Sequence, residues 1–371
     1  MERKNLILVA FVIIISLIGL TLYNLIPNFE TTEFDQESIL QISEGSTTTV
    51  KESLQTETTI VTQEESEEIN ILEVEISELL KFNKSEERLF GFETYLIIGS
   101  DARSENSSEA RGYVAGQRSD VIILALIHEE SEEISLISIP RDLLIVNTCT
   151  NELERINASF NKNNCGNAAE NLSASLLNLT GLLVDHFALF NFEGFEKIID
   201  SMNGVEICLE RAQREGYSFE LQEGCQIVNG EIALNWIVSR NTEVLVGNKI
   251  IDENGNDASI WEPMKGVSDL YRVEKQQEII LALLKRLNEF NSYTDLLNLI
   301  NALEKTFIID ENLTIPNATQ LLWGYRNFNF SNVNKLTVPT KPFRTEDGRE
   351  VLVLTDSFYN FLIKENLLSQ P

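Results

Sequence analysis

Three apolar β-type runs lie within residues 95–142, and each carries an arginine and an aspartate at one end. The first, YLII at 95–98, is followed by Gly99, Ser100, Asp101 and Arg103. The second, at 121–127, is preceded by Arg118, Ser119 and Asp120. The third, at 134–139, is followed by Pro140, Arg141 and Asp142. Only the polar connection HEESEE separates the second run from the third, which predicts an antiparallel hairpin. A hairpin sets the start of its first strand beside the end of its second. Arg118 and Asp120 then share a sheet edge with Arg141 and Asp142. If the first run lies parallel to the third, Asp101 and Arg103 join them there. Carboxylates grouped in this way can hold a hard divalent cation, and guanidinium forks grip phosphate oxygens in pairs. One Arg–Asp pair at a strand end reads as a weak surface ion pair. Several converging on one edge read as a site.

Composition narrows the chemistry. The chain has 371 residues and a formal net charge of −29, with 43% hydrophobic residues, enough for a sizeable core. Such acidity argues against a nucleic-acid partner, because nucleic-acid binders need a basic face. An anionic ligand must instead be held by a local arginine cluster. No GxSxG elbow and no Walker-type glycine loop occurs, and no Ser-His-Asp arrangement is supported. Of the two histidines, His186 reads as a packed, hydrogen-bonded strand residue and His128 as part of a solvated turn.

Residues 1–5 include Arg3 and Lys4, and an apolar run at 6–26 is long enough to span a bilayer. Basic residues before this run, with Glu30, Glu33 and Asp35 after it, predict a cytoplasmic N-terminus. No small-x-small cleavage site follows, so the expectation is an uncleaved single-pass anchor with the rest of the chain outside. Residues 27–68 are rich in Thr, Ser and Glu and read as a disordered acidic stalk. The folded domain is expected over 69–371, with a short helix at 69–82 leading into it.

Within the domain, the polar segment 104–117 reads as a loop over the site. Leu172, Leu176 and Leu179 have helical spacing, and Gly181 is a natural C-terminal stop. Strands are expected at 184–190 and 204–209, with a helix at 192–202 between them. A helix over 228–240 should run into a loop ending in Arg240, and 241–267 reads as a long polar loop. The clearest helix is 268–290, which places Arg272 and Gln276 on the apolar face near its anion-favouring N-terminus. The last third should add a helix near 317–325, strands at 335–338 and 351–354, and a helix near 357–367. This order predicts an α/β (α+β) fold, a central mixed sheet flanked by helices. Cys149, Cys165, Cys208 and Cys225 form no CxxC, and their even number in an exported domain suggests two disulfides. Proximity favours Cys149–Cys165 and Cys208–Cys225 among the three pairings that four cysteines allow.

The spaced motifs GSDAR, RSD, SLISIPRD and RINASF resemble those of the LytR–CpsA–Psr family. Downstream, HFALFNFEGFEKIIDSMNGVEI, ALNWIVSR and SDLYRVEKQQ are similar to the family's later motifs, in order, so the likeness covers about residues 92–287. The resemblance implies a membrane-anchored bacterial transferase that moves a glycopolymer from an undecaprenyl-pyrophosphate carrier onto peptidoglycan. It implies Mg²⁺ (or Mn²⁺) as cofactor and a single domain whose apolar pocket admits the lipid. By the same resemblance, Asp101 and Asp120 hold the metal. Arg103, Arg118, Arg141, Arg240, Arg272 and Gln276 bind the phosphates, and Asp101, Asp120 and Arg141 carry the catalysis. Two departures stand out, since the family usually has arginine where this chain has Val238 and Lys275. A polyprenyl-pyrophosphate hydrolase is the alternative enzyme, and a non-catalytic binder of lipid-linked saccharide is the alternative outside enzymes.

Overall fold

The computed structural model describes residues 30–32, 34–53, 81–82, 85, 88–100, 119–129, 131, 133–161, 167–239, 241–264, 269–287, 289, 292, 296, 299, 307–311, 333–345 and 347–368. It opens with β1 (Glu30–Thr32) and α1 (Gln36–Ser53). The strands β2 (Phe92–Ser100), β3 (Ser119–His128) and β4 (Ile134–Ser138) follow. Then come β5 (Leu144–Val146), β6 (Leu153–Arg155), a 3-10 turn at Ile156–Ser159 and α2 (Ala168–Thr180). Next are β7 (His186–Asn191), α3 (Phe192–Ser201), β8 (Val205–Leu209), β9 (Gln213–Glu215) and β10 (Phe219–Leu221). They are followed by β11 (Gly224–Val228), α4 (Gly230–Val238), β12 (Glu243–Val246), β13 (Ile260–Pro263) and α5 (Asp269–Leu287). The chain ends with β14 (Phe307–Asp310), β15 (Asn334–Thr337), β16 (Thr340–Arg344), β17 (Glu350–Leu354) and α6 (Phe358–Lys364).

Among the described residues, seven strands form one mixed sheet in the order β1-β14-β7-β2-β3-β4-β15. β3 pairs antiparallel with both β2 and β4, so β2 and β4 run in the same direction. This meets the condition under which the Arg/Asp ends of the three runs share one edge. Alternation along β3 divides the interior. Ile122, Leu124 and Leu126 enter a core shared with Leu172, Leu176 and Leu179 of α2, whereas Val121 and Ile123 pack with Leu281 of α5. Helices therefore cover both sheet faces.

α2 begins with a reciprocal capping box between Asn167 and Glu170 and stops at Gly181, whose φ of 77° suits glycine. Gly99 answers a different need, because a Cβ there would come within 2.9 Å of Val121 Cβ. β2 and β3 could not approach this closely with a larger residue at that point.

Three expectations are corrected or bounded here. Residues 27–68, read as a disordered stalk, contain β1 and α1. Phe34 and Ile39 are buried in the main core, and the Phe34 ring lies 4.9 Å from that of Phe187. Average composition hides these two anchors. Residues 241–267, read as a polar loop, supply β12 and β13 to a four-stranded sheet ordered β10-β9-β12-β13. The apolar run 6–26, the lead-in helix at 69–82 except its last two residues, and the helix near 317–325 lie outside the described residues. Among the described residues no helix is long and apolar enough to cross a membrane.

Cys208 and Cys225 are directly paired across β8 and β11 and form a disulfide. Cys149 is also disulfide-bonded, and its expected partner, Cys165, lies outside the described residues. His186 is hydrogen-bonded within the sheet, its Nδ1 lying 3.2 Å from Asp310 Oδ1 on β14.

Candidate active site

The β3–β4 hairpin brings Asp120 and Arg141 together. Arg141, in the turn beyond β4, donates from Nη1 to the Asp120 carboxylate at the start of β3. Both side chains are only partly exposed, at 17% for Arg141 and 25% for Asp120. Such a pair loses little to solvent screening. Asp142 lies between two guanidinium groups, with Oδ2 3.6 Å from Arg141 Nε and Oδ1 3.2 Å from Arg155 Nε.

Arg155 is the member that sequence reasoning missed. It opens the RINASF motif at the end of β6, yet no role was assigned to it. Its Nη2 donates to the Glu350 carbonyl of β17 at 2.7 Å. The Leu352 N–H donates to the Asp142 carbonyl at 2.9 Å, and the Asn157 N–H to the Arg141 carbonyl at 3.2 Å. The turn that carries Arg141 and Asp142 is therefore fixed from the 3-10 turn on one side and from β17 on the other.

Arg272 and Gln276 approach the same edge from the opposite sheet face. Gln277 Nε2 donates to Ser138 Oγ at the end of β4 at 2.9 Å, while Leu281, further along α5, packs with Ile134 and Leu136. α5 thus runs antiparallel to β4, and its first turns extend toward the edge where Arg141 emerges. Arg272 and Gln276 are half-buried, between fully buried Val273 and Gln277 on one flank and Lys275 and Ile279 on the other. Ile280 and Leu284 of α5, like Ile97, Ala125 and Ile127 of the sheet, are only partly buried and pack against the cluster of Val121, Ile123, Ile134, Leu136 and Leu281. An apolar strip thus leads away from the charged edge.

Lys275 is placed unlike a phosphate-gripping residue. It is 1% exposed, and its Nζ donates to the Trp236 carbonyl at 3.0 Å and to Thr242 Oγ1 at 3.1 Å. Burial pushes its pKa down to about 8. Asp101, Arg103, Arg118 and Arg240 lie outside the described residues. Of the expected site residues, the structure joins Asp120 to Arg141 and brings Arg272 and Gln276 toward their edge.

Residues 46–247 match the model of the LytR_cpsA_psr family. The probable cell wall biosynthesis protein LcpB of Corynebacterium glutamicum is 26% identical over 70% of this chain and 57% of its own length. The polyisoprenyl-teichoic acid–peptidoglycan teichoic acid transferase TagU of Halalkalibacterium halodurans is 24% identical over 62% of this chain and 64% of its own. The chain thus spans just over half to two thirds of the length of these relatives. In fold it is similar to the crystal structure of B. subtilis TagV, with a TM-score of 0.55 and 17% identity over 75% of this chain and 97% of the other. With more than half of its length matched by the family's model, the chain belongs to the LytR_cpsA_psr family.

Proposed function

We propose that this protein transfers a glycopolymer from an undecaprenyl-pyrophosphate carrier to peptidoglycan at the outer face of a bacterial cell membrane. The observation that carries the reading is the Asp120–Arg141 pair at a sheet edge toward which the first turns of α5, the helix of Arg272 and Gln276, extend beside an apolar strip. A lipid pyrophosphate needs cationic forks for its phosphates and an apolar surface for its tail. The names of TagU and LcpB, a polyisoprenyl-teichoic acid transferase and a cell wall biosynthesis protein, agree with that chemistry.

The donor set suits Mg²⁺ (or Mn²⁺). Asp120 offers hard carboxylate oxygens on a side chain that is still 25% exposed, and such an ion takes one or two carboxylates and fills its shell with phosphate oxygens and water. Asp120 and Asp101 would hold the ion. When bound, it neutralises charge that develops on the phosphates. Asp142, facing two guanidiniums, is the residue that orients Arg141.

The arginines do the rest. Arg141, Arg272 and Arg240, with Arg103, Arg118 and Gln276, bind and neutralise the pyrophosphate. A peptidoglycan hydroxyl attacks the phosphorus attached to the glycopolymer, giving up its proton to a carboxylate, for which Asp101 and Asp120 are the nearest candidates. The bond from that phosphorus to the bridging oxygen breaks, and undecaprenyl phosphate leaves with the electron pair. Charge on this leaving group is what the guanidiniums stabilise. Residues 6–26 would anchor the domain outside the membrane, with the N-terminus cytoplasmic.

The test uses the full chain in detergent with a polyprenyl-pyrophosphate-linked saccharide and peptidoglycan fragments. Release of polyprenyl phosphate, coupled to saccharide attached to the glycan and abolished by a chelator, is the expected result. Release without attachment would make the protein a hydrolase, and binding without release would make it a non-catalytic binder.

A further inference from the structure

On the β15 flank of α5, a groove of about 280 Å³ runs between that helix and the small β8–β11 sheet. Glu278, Ala282, Lys285 and Glu289 line it at i, i+4, i+7 and i+11, so they form one stripe along α5 and just past its end. At 1.5 Å per residue the stripe is about 16 Å long, the length of an extended peptide of about five residues. Gln276 stands two residues before Glu278, which puts it and Arg272 on another side of the helix. The groove is therefore separate from the edge of Asp120 and Arg141.

Three carboxylates, Glu206, Glu278 and Glu289, and three cations, Lys285, Arg286 and Lys335, line the groove. It is thus locally neutral in a chain of net charge −29. Arg286 is committed, donating to the Glu289 carboxylate and, at 2.9 Å, to the Met202 carbonyl. Among the described residues no side-chain hydrogen bond or ion pair engages Glu206, Glu278, Lys285 or Lys335. Burial raises the pKa of Glu278 above its ordinary value, with Lys335 opposing the shift. A polyanion would meet three carboxylates here, whereas a ligand carrying both signs can match the lining.

The opposite wall offers main chain. Cys208 and Cys225 face each other with Cα atoms 3.9 Å apart, the close spacing of a pair that exchanges no backbone hydrogen bonds. Glu206 and Cys208, two residues apart, therefore turn their N–H and C=O groups away from β11. They point toward the edge of β8 that no strand covers among the described residues. Glu206, Ile207 and Cys208 all border the groove, although successive side chains of a strand point to opposite faces, so the groove follows this edge. An uncovered edge is a template for one more strand. Ile227, 62% exposed, adds an apolar wall beside it.

We infer that this groove binds an extended peptide bearing both an ammonium and a carboxylate, its main chain added to the β8 edge and its charges set against Glu278 and Lys285. Under the proposed function such a peptide belongs to the peptidoglycan acceptor, and the inference rests on that reading for the source of its ligand.

The experiment is calorimetric titration of the full chain in detergent with the pentapeptide Ala-Glu-Lys-Ala-Ala. Two further probes are a neutral form, blocked at both ends and with Gln for Glu and Lys, and polyglycerol phosphate. The charged peptide is expected to bind about 10-fold more tightly than the neutral one. Lys285→Glu and Glu278→Lys should each lower its affinity by about 10-fold, and N-methylation of alternate peptide amides should do the same. Equal binding of charged and neutral peptides, unchanged affinity in both variants, or preference for the polyanion would overturn the inference. In a transfer assay, Lys285→Glu should raise the KM for a peptide-bearing glycan more than that for the same glycan stripped of peptide. Peptide binding without any transfer would keep the groove and refute the proposed function, and transfer without peptide binding would do the reverse.

Discussion

Arg141 and Asp120 are bonded to each other across the open end of the β3–β4 hairpin, one leaving the hairpin and the other entering it. Asp120 lies in β3 itself, and Arg141 lies in the turn just past β4, which hydrogen bonds from Asn157 and Leu352 hold in place. Asp120→Asn should therefore keep the fold and lose metal-dependent turnover, and Arg141→Lys should replace a planar fork with a point charge. Each is expected to cost on the order of 2–4 kcal/mol of transition-state stabilisation, roughly 30- to 1000-fold in rate. Steady-state cleavage of a lipid pyrophosphate by variants with unchanged thermal unfolding checks this. Wild-type rates in both would remove the site from this edge.

Arg155 holds Asp142 from behind and reaches Glu350 of β17. Arg155→Ala should act on both ends of that link. The expected outcome is a stability loss of about 1 kcal/mol, from a charge-assisted hydrogen bond removed at an exposed place. Turnover should also fall, with KM less affected than kcat, since the residue orients Arg141 without reaching substrate. Urea unfolding and kinetics on the same preparation separate the two.

The Cys208–Cys225 bridge joins strands that precede α4 and the Arg240 segment. With a sequence separation of 17, its removal by paired alanines should cost about 2–4 kcal/mol, read as a lower denaturation midpoint. A reducing agent should shift the wild type in the same direction and leave the double variant nearer its own value. The bridge at Cys149 makes that second comparison necessary.

His186 supplies a pH dependence. The Asp310 carboxylate hydrogen-bonded to its ring raises its pKa from the ordinary 6.5, against the opposing effect of burial. A histidine whose folded pKa exceeds its unfolded value stabilises fully below the unfolded value, and that contribution fades as pH rises through the folded one. The stability difference between wild type and His186→Gln should thus be largest below 6.5 and shrink above it. Denaturant titrations at several pH values measure the difference, and a flat profile would refute an ionic His186–Asp310 link.

Much of this was legible in the chain itself. Apolar β-type runs and a hairpin-length connection specify the antiparallel β3–β4 pair, and with it the shared edge of Asp120 and Arg141. Helical spacing with a glycine stop specifies α2. The misses have a common cause, which is stabilisation by distant partners. α1 is anchored through its Ile39 and the preceding Phe34, buried in the main core with residues of α2 and β7, while its own composition is that of a stalk. β12 and β13 are polar strands held by pairing to each other and to β9. Arg155 finds Glu350 at a sequence separation of 195, and Lys275 finds Trp236 at 39, neither of which a local pattern can signal.

The attachment of the Arg141 turn to β17 also bears on when the protein can act. Leu352 donates to the Asp142 carbonyl, Glu350 accepts from Arg155, and Leu143 bridges to Leu352. A ribosome delivers the arginine and aspartate motifs long before these late residues. Until they emerge and dock, the turn lacks one of its two supports. The emerging polypeptide therefore carries its reactive groups in an unassembled state, and competence waits until residues 350–352 have emerged and docked on the turn.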